Sequence, residues 1–291
     1  MSPAWSLEGG AGGATPPAPP PTGPPTIGLI LWLKGDAGLT SVAGAATAWA
    51  DQSGFGQDVG LFPLGDAGPF TGLESIDGVP AITFPTDGGV GAVPGRALYR
   101  VDLRDRFGAL FGYNVGERQP RTIIAMIRPR NSTAFFNVTG GMPVAMVSNP
   151  GFGAIFDVES TDTPGGFYAW SRGWRSLSAG QTCEAPSVTA GAGGTYDDQP
   201  TLAVWASTGF PVISFAVNNV NQALTPSTMP GATGPGAASF WIGRVNQAGP
   251  DFFGAMTELL IWDYDLTTDD PAGYAQAVAY MKGRYPSAPI V

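Results

Sequence analysis

The chain has 291 residues, of which 43 are glycine and 28 are proline, and only 13% are charged. Because Gly and Pro disfavour helix interiors, this composition excludes a mostly helical protein, while the 11% of aromatic residues indicates a real core. With 14 basic and 23 acidic residues, the net charge is −9. This balance argues against binding to nucleic acid or to an anionic membrane surface. No apolar run of about 18 residues is present, so we expect no membrane insertion.

The chemistry open to the chain is limited by one cysteine, Cys183, and no histidine. An intrachain disulfide is excluded, as are Ser-His-Asp and Cys-His catalysis and any metal site that needs histidine. We therefore expect no cofactor, and any catalysis would have to use carboxylates.

The first 26 residues differ from the rest, because 13 of them are Gly or Pro. Such a segment forms no core and favours extended conformations. We predict an extended N-terminal arm at 1–26, followed by one domain at 27–291. Trp5 and Leu7 are the large apolar residues near the start of the arm, and we expect them to dock on a partner; the alternative is a disordered tail. The N-terminus also lacks the basic and apolar regions of a secretory signal peptide.

Short apolar segments bounded by Gly, Pro, Asn and Asp follow the arm and predict β-strands. Their number and spacing are typical of an all-β sandwich or jelly roll. Asn218-Asn219 has the composition of a tight hairpin turn. The predicted strands are 27–33, 80–84, 122–127, 144–147, 153–158, 166–170, 202–205, 212–217, 238–242 and 256–262.

One helix is predicted near the C-terminus, capped by Thr267 or Thr268, with Pro271 in its first turn and Pro286 after its end. Residues 103–113 form a weaker helical or loop region. One face of the C-terminal helix should pack on the sandwich, since apolar residues recur there at helical spacing. They are Tyr274, Ala277, Val278 and Met281.

Three stretches carry further motifs: 31–37 (LWLKGDA) with 49–58 (WADQSGFGQD), 79–88 (VPAITFPTDG), and 240–266 with the helix. In this order they resemble the concanavalin A-like lectin/glucanase superfamily in its laminin-G-like form. The resemblance implies a concanavalin A-like two-sheet antiparallel sandwich with a C-terminal helix. It also implies ligand binding on the concave face or at its rim loops. Domains of this kind occur in structural proteins of tailed phages.

The motif at 49–58 has a structural and a functional interpretation. Its glycines allow a tight loop, and Asp51 and Ser53 can hydrogen-bond the loop backbone. The alternative is a Ca²⁺ site built from Asp51 and Asp58, joined by Asp36. The segment lacks the alternating acidic ligands of a dedicated calcium loop, so we favour the self-stabilised loop.

A glycoside hydrolase of this fold would need alternate carboxylates on one strand face. Asp157 and Glu159 have that spacing, but Asp162 falls out of phase and a turn follows at once. We therefore expect a solvent-facing strand rather than an active site. Glu258 lies between apolar neighbours, and we expect it to satisfy a turn or a backbone amide rather than to take part in chemistry.

The segment 167–175 offers the best sugar-binding surface. Four of its residues alternate onto one face if the segment is extended, and aromatic rings stack on sugar rings while Arg donates to hydroxyls or carboxylates. These four are Tyr168, Trp170, Arg172 and Trp174. The alternative is that the tryptophans fill the core, as we expect for Trp32, Trp205 and Trp262; Trp241 is ambiguous.

We therefore predict a non-enzymatic virion structural protein, a head decoration, spike or fibre-associated protein of a phage or phage-like particle. It would be made in the host cytoplasm and would dock on other virion proteins through residues 1–26, as a homo-oligomer on the particle. Its lectin-like domain would face outward and bind cell-surface polysaccharide. The alternatives are a cell-surface carbohydrate-binding or adhesion module and a glycoside hydrolase of the same fold.

Overall fold

The computed structural model describes the chain from residue 19 to residue 291 with gaps. The described residues are 19, 21–61, 68–84, 98–100, 103–104, 106–108, 121–129, 142–148, 154–159, 166–171, 180–184, 198–209, 212–221, 225–229, 239–243 and 254–291. Trp5, Leu7, Arg172 and Trp174 lie outside them.

Strands make up most of the described chain, and all ten predicted strands are present within a few residues of their predicted ends. The strands are β1 Leu29–Lys34, β2 Leu39–Val42, β3 Ala45–Trp49, β4 Val59–Gly60, β5 Phe70–Ile76, β6 Val79–Phe84, β7 Leu98–Arg100, β8 Arg121–Pro129, β9 Met142–Ser148, β10 Ala154–Glu159, β11 Gly166–Ser171, β12 Gly180–Glu184, β13 Thr201–Gly209, β14 Val212–Val217, β15 Val220–Asn221, β16 Thr225–Met229, β17 Ser239–Ile242 and β18 Gly254–Trp262. The helices are α1 Leu266–Asp269 and α2 Pro271–Arg284.

The strands form two layers. The helix-covered layer runs β5-β6-β18-β8-β13-β14-β15, with β1 also paired to β18. The opposing layer runs β11-β10-β9-β17-β7-β4-β3, with β2 paired to β3. One antiparallel pair, Ala45 with Phe70, joins β3 to β5 and so connects the layers. β12 and β16 form a separate two-stranded sheet.

A hydrophobic core lies between the two layers, and it establishes the sandwich. The helix-covered layer contributes residues of β8, β13 and β18, and the opposing layer contributes residues of β3, β4, β7 and β17. Apolar residues from facing sheets are buried against each other in this way in sandwich folds. The contributions of the opposing layer are Ala46, Trp49, Val59, Leu98, Phe240 and Ile242.

A second core lies on the other face of the helix-covered layer. There Ile124, Leu260 and Trp262 pack with residues of α2, including Val278 and Met281. Both faces of this layer are therefore buried, which explains why all nine residues of β18 are buried although the strand is antiparallel. The predicted packing of the helix on the sandwich is confirmed.

The helix caps differ from the prediction. Asp265, not Thr267 or Thr268, caps α1, because its carboxylate accepts hydrogen bonds from the backbone N–H groups of those two threonines. Asp270 caps α2 by accepting from Gly273 N, and Pro271 occupies the first turn as predicted. The carboxylates reach the free N–H groups of each first turn, so a threonine hydroxyl is not needed there.

The hairpin between β14 and β15 agrees with its prediction. Asn218 and Asn219 have φ values of 51° and 66°, the left-handed conformation that a tight two-residue hairpin turn requires. Asn218 is buried, and its side-chain oxygen accepts a hydrogen bond from Leu202 N at 2.9 Å.

Both ends of the described chain lie on the helix-covered side. Pro25 is buried, and its carbonyl accepts a hydrogen bond from Trp262 Nε1 at 3.0 Å. The Gly23 carbonyl accepts from Gln276 at 3.3 Å. At the other end, Val291 N donates to the Asn218 carbonyl at 3.1 Å. The last residues of the predicted arm are thus attached to the domain.

Candidate functional site

The predicted sugar-binding segment begins in a strand. Tyr168 and Trp170 lie in β11, two residues apart and so on the same face of the sheet. Arg172 and Trp174, which complete the predicted site, follow the end of the strand and lie outside the described residues. The structure thus places half of the predicted site.

Strand register brings Trp170 into a row with aromatic residues that are distant in sequence. Trp170 pairs with Ile155 in β10, and Ile155 pairs with Met146 in β9. Met146 pairs with Trp241 in β17, and Trp241 pairs with Tyr99 in β7. We call these five residues the aromatic row. Directly paired residues of antiparallel strands lie on the same face, so the row occupies one face of the opposing layer.

The alternation of residues along β17 and β7 shows that the aromatic row and the inter-layer core lie on opposite faces of the opposing layer. Phe240 and Ile242 are 0% exposed and belong to that core, and Trp241 stands between them in β17. Leu98, next to Tyr99, is also in the core. Since successive residues of a strand lie on opposite faces, the aromatic row occupies the face of the opposing layer that is turned away from the core.

The two carboxylates considered for catalysis share the face of the row. Asp157 pairs with Tyr168, and Glu159 pairs with Gly166 at the end of the same two strands. Both are in phase with Ile155, so they lie beside the aromatic row. The third carboxylate, Asp162, lies outside the described residues.

The loop at 51–58 is held by the carboxylate of Asp51. One oxygen accepts hydrogen bonds from Trp32 N at 2.9 Å and Ser53 N at 2.8 Å. The other accepts from Ser53 Oγ at 2.7 Å and Gln57 N at 3.0 Å. Asp58 in turn accepts from Asp51 N at 2.8 Å. Asp51 thus makes the loop contacts that the structural interpretation requires, and its acceptor sites are occupied by protein donors.

The loop also anchors the opposing layer to a distant segment. Gln57 is buried, and its side-chain amide donates to the carbonyls of Ile30, at 3.0 Å, and Arg104. Its side-chain oxygen accepts from Arg104 N at 2.7 Å. In the part of the chain that the structure describes, no three His, Cys, Asp or Glu side chains cluster in a way that could hold a metal ion.

A buried carboxylate, Glu258, joins β1, β18 and α2. Its Oε1 accepts hydrogen bonds from Trp32 Nε1 at 2.6 Å and from the Tyr280 hydroxyl at 2.7 Å. Its Oε2 accepts from the Tyr285 hydroxyl at 2.7 Å and lies 2.9 Å from Arg284 Nε. We expected Glu258 to satisfy a turn or a backbone amide; its partners are instead side chains from both ends of the domain. Trp32, expected in the core, is half-buried in this cluster.

The electrostatics of the cluster keep its donors protonated. Burial, followed by the negative charge of Glu258, raises the pKa of Tyr280 and of Tyr285 above the ordinary tyrosine value. Burial alone lowers the pKa of Arg284, but its interaction with Asp36, at 2.7 Å, and the charge of Glu258 raise it overall. The carboxylate is 0% exposed, so this cluster stabilises the fold and is closed to a ligand.

Comparison with known proteins gives the fold but no family. No protein-family model matches the sequence, and no curated protein matches it. Among solved structures, the chain is similar to domain 4 of AbnA, with a TM-score of 0.51 and 14% identity. AbnA is an extracellular GH43 arabinanase of Geobacillus stearothermophilus, and this domain was solved in complex with arabinotriose. The match covers 87% of this chain and 98% of that one.

Two toxin domains are also similar. The binding domain of Paraclostridial Mosquitocidal Protein 1 has a TM-score of 0.54 and 9% identity, over 88% of this chain and 52% of that one. The binding domain of botulinum neurotoxin serotype D has a TM-score of 0.50 and 10% identity, over 86% of this chain and 51% of that one.

The fold is an antiparallel β-sandwich with a C-terminal helix. The predicted fold class is thereby confirmed, and the chain spans about half the length of the two toxin domains. Among the described residues, no helix is long and apolar enough to cross a membrane.

Two aromatic residues of the row, Tyr99 and Trp241, were not identified as site residues from the sequence. Tyr99 belongs to the three-residue strand β7, which is too short to give a periodic pattern. Trp241 was ambiguous because it stands between the apolar residues Phe240 and Ile242. The available signal was the alternation itself, since two core residues flanking a tryptophan place it on the opposite face.

Proposed function

We propose that this chain is a non-enzymatic carbohydrate-binding module whose ligand lies on the aromatic row. The observation that carries the proposal is the register of five strands, which aligns Tyr99, Trp241 and Trp170 on the face away from the core. Aromatic residues on a sheet face suit the apolar faces of sugar rings. Met146 and Ile155 keep the row apolar between them.

The similar structures support the same class of function. Domain 4 of the arabinanase was solved with arabinotriose bound, and its whole length is matched by this chain. The two toxin domains are named as binding domains. A fold shared with a sugar-binding domain does not determine the ligand, so the proposal depends on the row and not on the likeness.

The test is binding to a panel of arabinan, xylan, mannan and β-glucan by the wild-type chain and row variants. We expect Trp170→Ala and Trp241→Ala each to weaken binding about tenfold, because tryptophans are among the residues that contribute most to the affinity of a binding surface. Phe107→Ala is the matched control, since Phe107 is 81% exposed and lies outside the row. Thermal melting of each variant checks that it is folded.

Equal binding by the wild type and both tryptophan variants would place the site elsewhere. Release of reducing sugar from any of these polysaccharides, lost in Glu159→Gln, would favour the glycoside hydrolase alternative. Binding without hydrolysis agrees with the proposal.

We further propose that the module is displayed on a phage or phage-like particle as a homo-oligomer, docked by its N-terminal arm. Two features support this. The arm is rich in Gly and Pro, and its last residues lie on the helix-covered side. The aromatic row lies on the opposing layer, so an arm attached to a carrier leaves the row facing outward.

Deletion of residues 1–20 should abolish incorporation into the particle while leaving sugar binding unchanged, because residues 21–26 remain to pack on the domain. Sedimentation of the truncated chain with particles at the wild-type level would contradict docking by the arm. If the chain is not found on particles, the alternative of a cell-surface adhesion module is favoured.

A further inference from the structure

The aromatic row has a definite length and direction, which restrict the ligand that it can bind. The row crosses the adjacent strands β7, β17, β9, β10 and β11, so four strand spacings separate Tyr99 from Trp170. At about 4.8 Å per spacing, the row is about 19 Å long. Trp241 stands one spacing from Tyr99 and three from Trp170, so the three aromatic residues occupy both ends of the row.

We propose that the row takes a linear, uncharged oligosaccharide of at least five sugar units, which runs across the strands. This inference rests on the proposed function and specifies its ligand. A linear chain of β-linked hexoses advances by about one strand spacing per sugar. Four spacings separate Tyr99 from Trp170, so a ligand that contacts both residues needs five units or more.

The direction of the bound sugar chain, across the strands and not along one of them, follows from the distribution of aromatic residues. Along β11, the face carries two of them, Tyr168 and Trp170, and the described strand ends one residue later. Across the strands, the face carries three, with apolar residues between them. Beyond Tyr99, strand pairing continues to Gly60 in β4 and then to Ala48 in β3. Both residues are small, so they do not obstruct a longer sugar chain.

The charge of the face restricts the ligand further. Among the described residues of β4, β7, β9, β10, β11 and β17, the charged ones are Arg100, Asp157 and Glu159. Asp157 and Glu159 lie on the face of the row, whereas Arg100 pairs with the core residue Phe240 and is therefore out of phase with the row. Arg100 also donates to the Asp58 carbonyl at 2.9 Å. Negative charge at these two positions, which are in phase with the row, disfavours uronate and sialyl groups and not neutral sugars.

The test is calorimetric titration of the full chain with arabino-, xylo-, manno- and cello-oligosaccharides of two to six units. Oligogalacturonides and sialyl-oligosaccharides are the anionic probes. We expect the Kd for the bound neutral series to fall at least tenfold between two and five units, and to change little beyond five. Every anionic probe should bind at least tenfold more weakly than the best neutral pentamer. The double variant Asp157→Asn/Glu159→Gln should reduce that difference.

A Trp170→Ala variant tests whether the affinity depends on the length of the oligosaccharide. It shortens the row to the Tyr99–Trp241 end, so the gain in affinity from disaccharide to pentasaccharide should be lost in this variant. A disaccharide that binds the wild type as tightly as a pentasaccharide, or an anionic probe that binds more tightly than the best neutral one, overturns this inference and leaves the proposed function intact. Absence of binding to every oligosaccharide and polysaccharide overturns both.

Discussion

Replacing Glu258 with alanine is expected to lower the free energy of unfolding by about 3–5 kcal/mol, the usual cost of removing one partner of a buried charged pair. The variant leaves the hydroxyls of Tyr280 and Tyr285 and the indole N–H of Trp32 without their acceptor. It also leaves the partly buried Arg284 without one of its two anions. Urea unfolding followed by circular dichroism measures the loss.

The size of this effect follows from what the cluster connects. Trp32 belongs to the first strand, Glu258 to the central strand β18, and the remaining donors to the C-terminal helix and the residue that follows it. These elements are distant in sequence, with Trp32 and Glu258 226 positions apart. A defect in the cluster therefore weakens β1 and α2 together, and we expect one cooperative transition shifted to lower urea rather than a separate early step.

Three further variants sharpen the test. Arg284→Met should cost nearly as much as Glu258→Ala, since it leaves the buried carboxylate uncompensated, and the double variant should lose less than the sum of the two. Lys282→Met is the matched control, because Lys282 is an exposed cation in the same last turn of α2 and should change stability by less than about 0.5 kcal/mol. A loss below about 1 kcal/mol for Glu258→Ala would contradict the assignment of this cluster as a stabilising junction.

Replacing Asp51 with alanine is expected to lower the free energy of unfolding by about 3 kcal/mol, because three backbone N–H groups lose the carboxylate that accepts their hydrogen bonds. The N–H groups of Trp32, Ser53 and Gln57 all donate to this carboxylate. The loop at 51–58 should loosen, and with it the contact of Gln57 to Ile30 and Arg104. Urea unfolding gives the stability change, and amide hydrogen exchange reports the loop.

Asp58→Ala is the control for the Asp51 variant. Asp58 accepts from one backbone N–H of the loop and is exposed, so we expect a loss of about 1 kcal/mol. Addition of millimolar Ca²⁺ to the wild type should leave the melting temperature unchanged, because the oxygens of Asp51 are occupied. A calcium-dependent rise in Tm that is lost in Asp51→Ala would restore the alternative of a calcium site.

The sequence predicts the buried strands well and the short or exposed ones poorly. Strands such as β8 and β18 carry long apolar runs because both faces of their layer are covered, and such runs are visible without any structure. β2, β12 and β16 consist largely of polar or small residues, and β4 and β15 have two residues each. Only pairing with a neighbour defines these strands, so no local pattern indicates them.

The candidate site was predictable in part, for a similar reason. Tyr168 and Trp170 alternate within one strand, which periodicity detects, whereas Tyr99 and Trp241 join them only through strand register. Register is set by the whole sheet and not by any one segment. The same holds for Glu258, whose partners come from both ends of the domain. Because Glu258 stands alone among apolar residues, the sequence predicts that its carboxylate is hydrogen-bonded. The sequence does not identify the groups that donate to it.

The central claim is that sugar binds on the aromatic row, and a crystal structure with a bound neutral oligosaccharide tests it most directly. The crystals would be grown with the tightest-binding pentamer or longer chain from the titrations. We predict sugar rings stacked over Tyr99, Trp241 and Trp170, with the chain crossing β7, β17, β9, β10 and β11. A sugar bound on the helix-covered side, or at loops away from the row, would contradict the account.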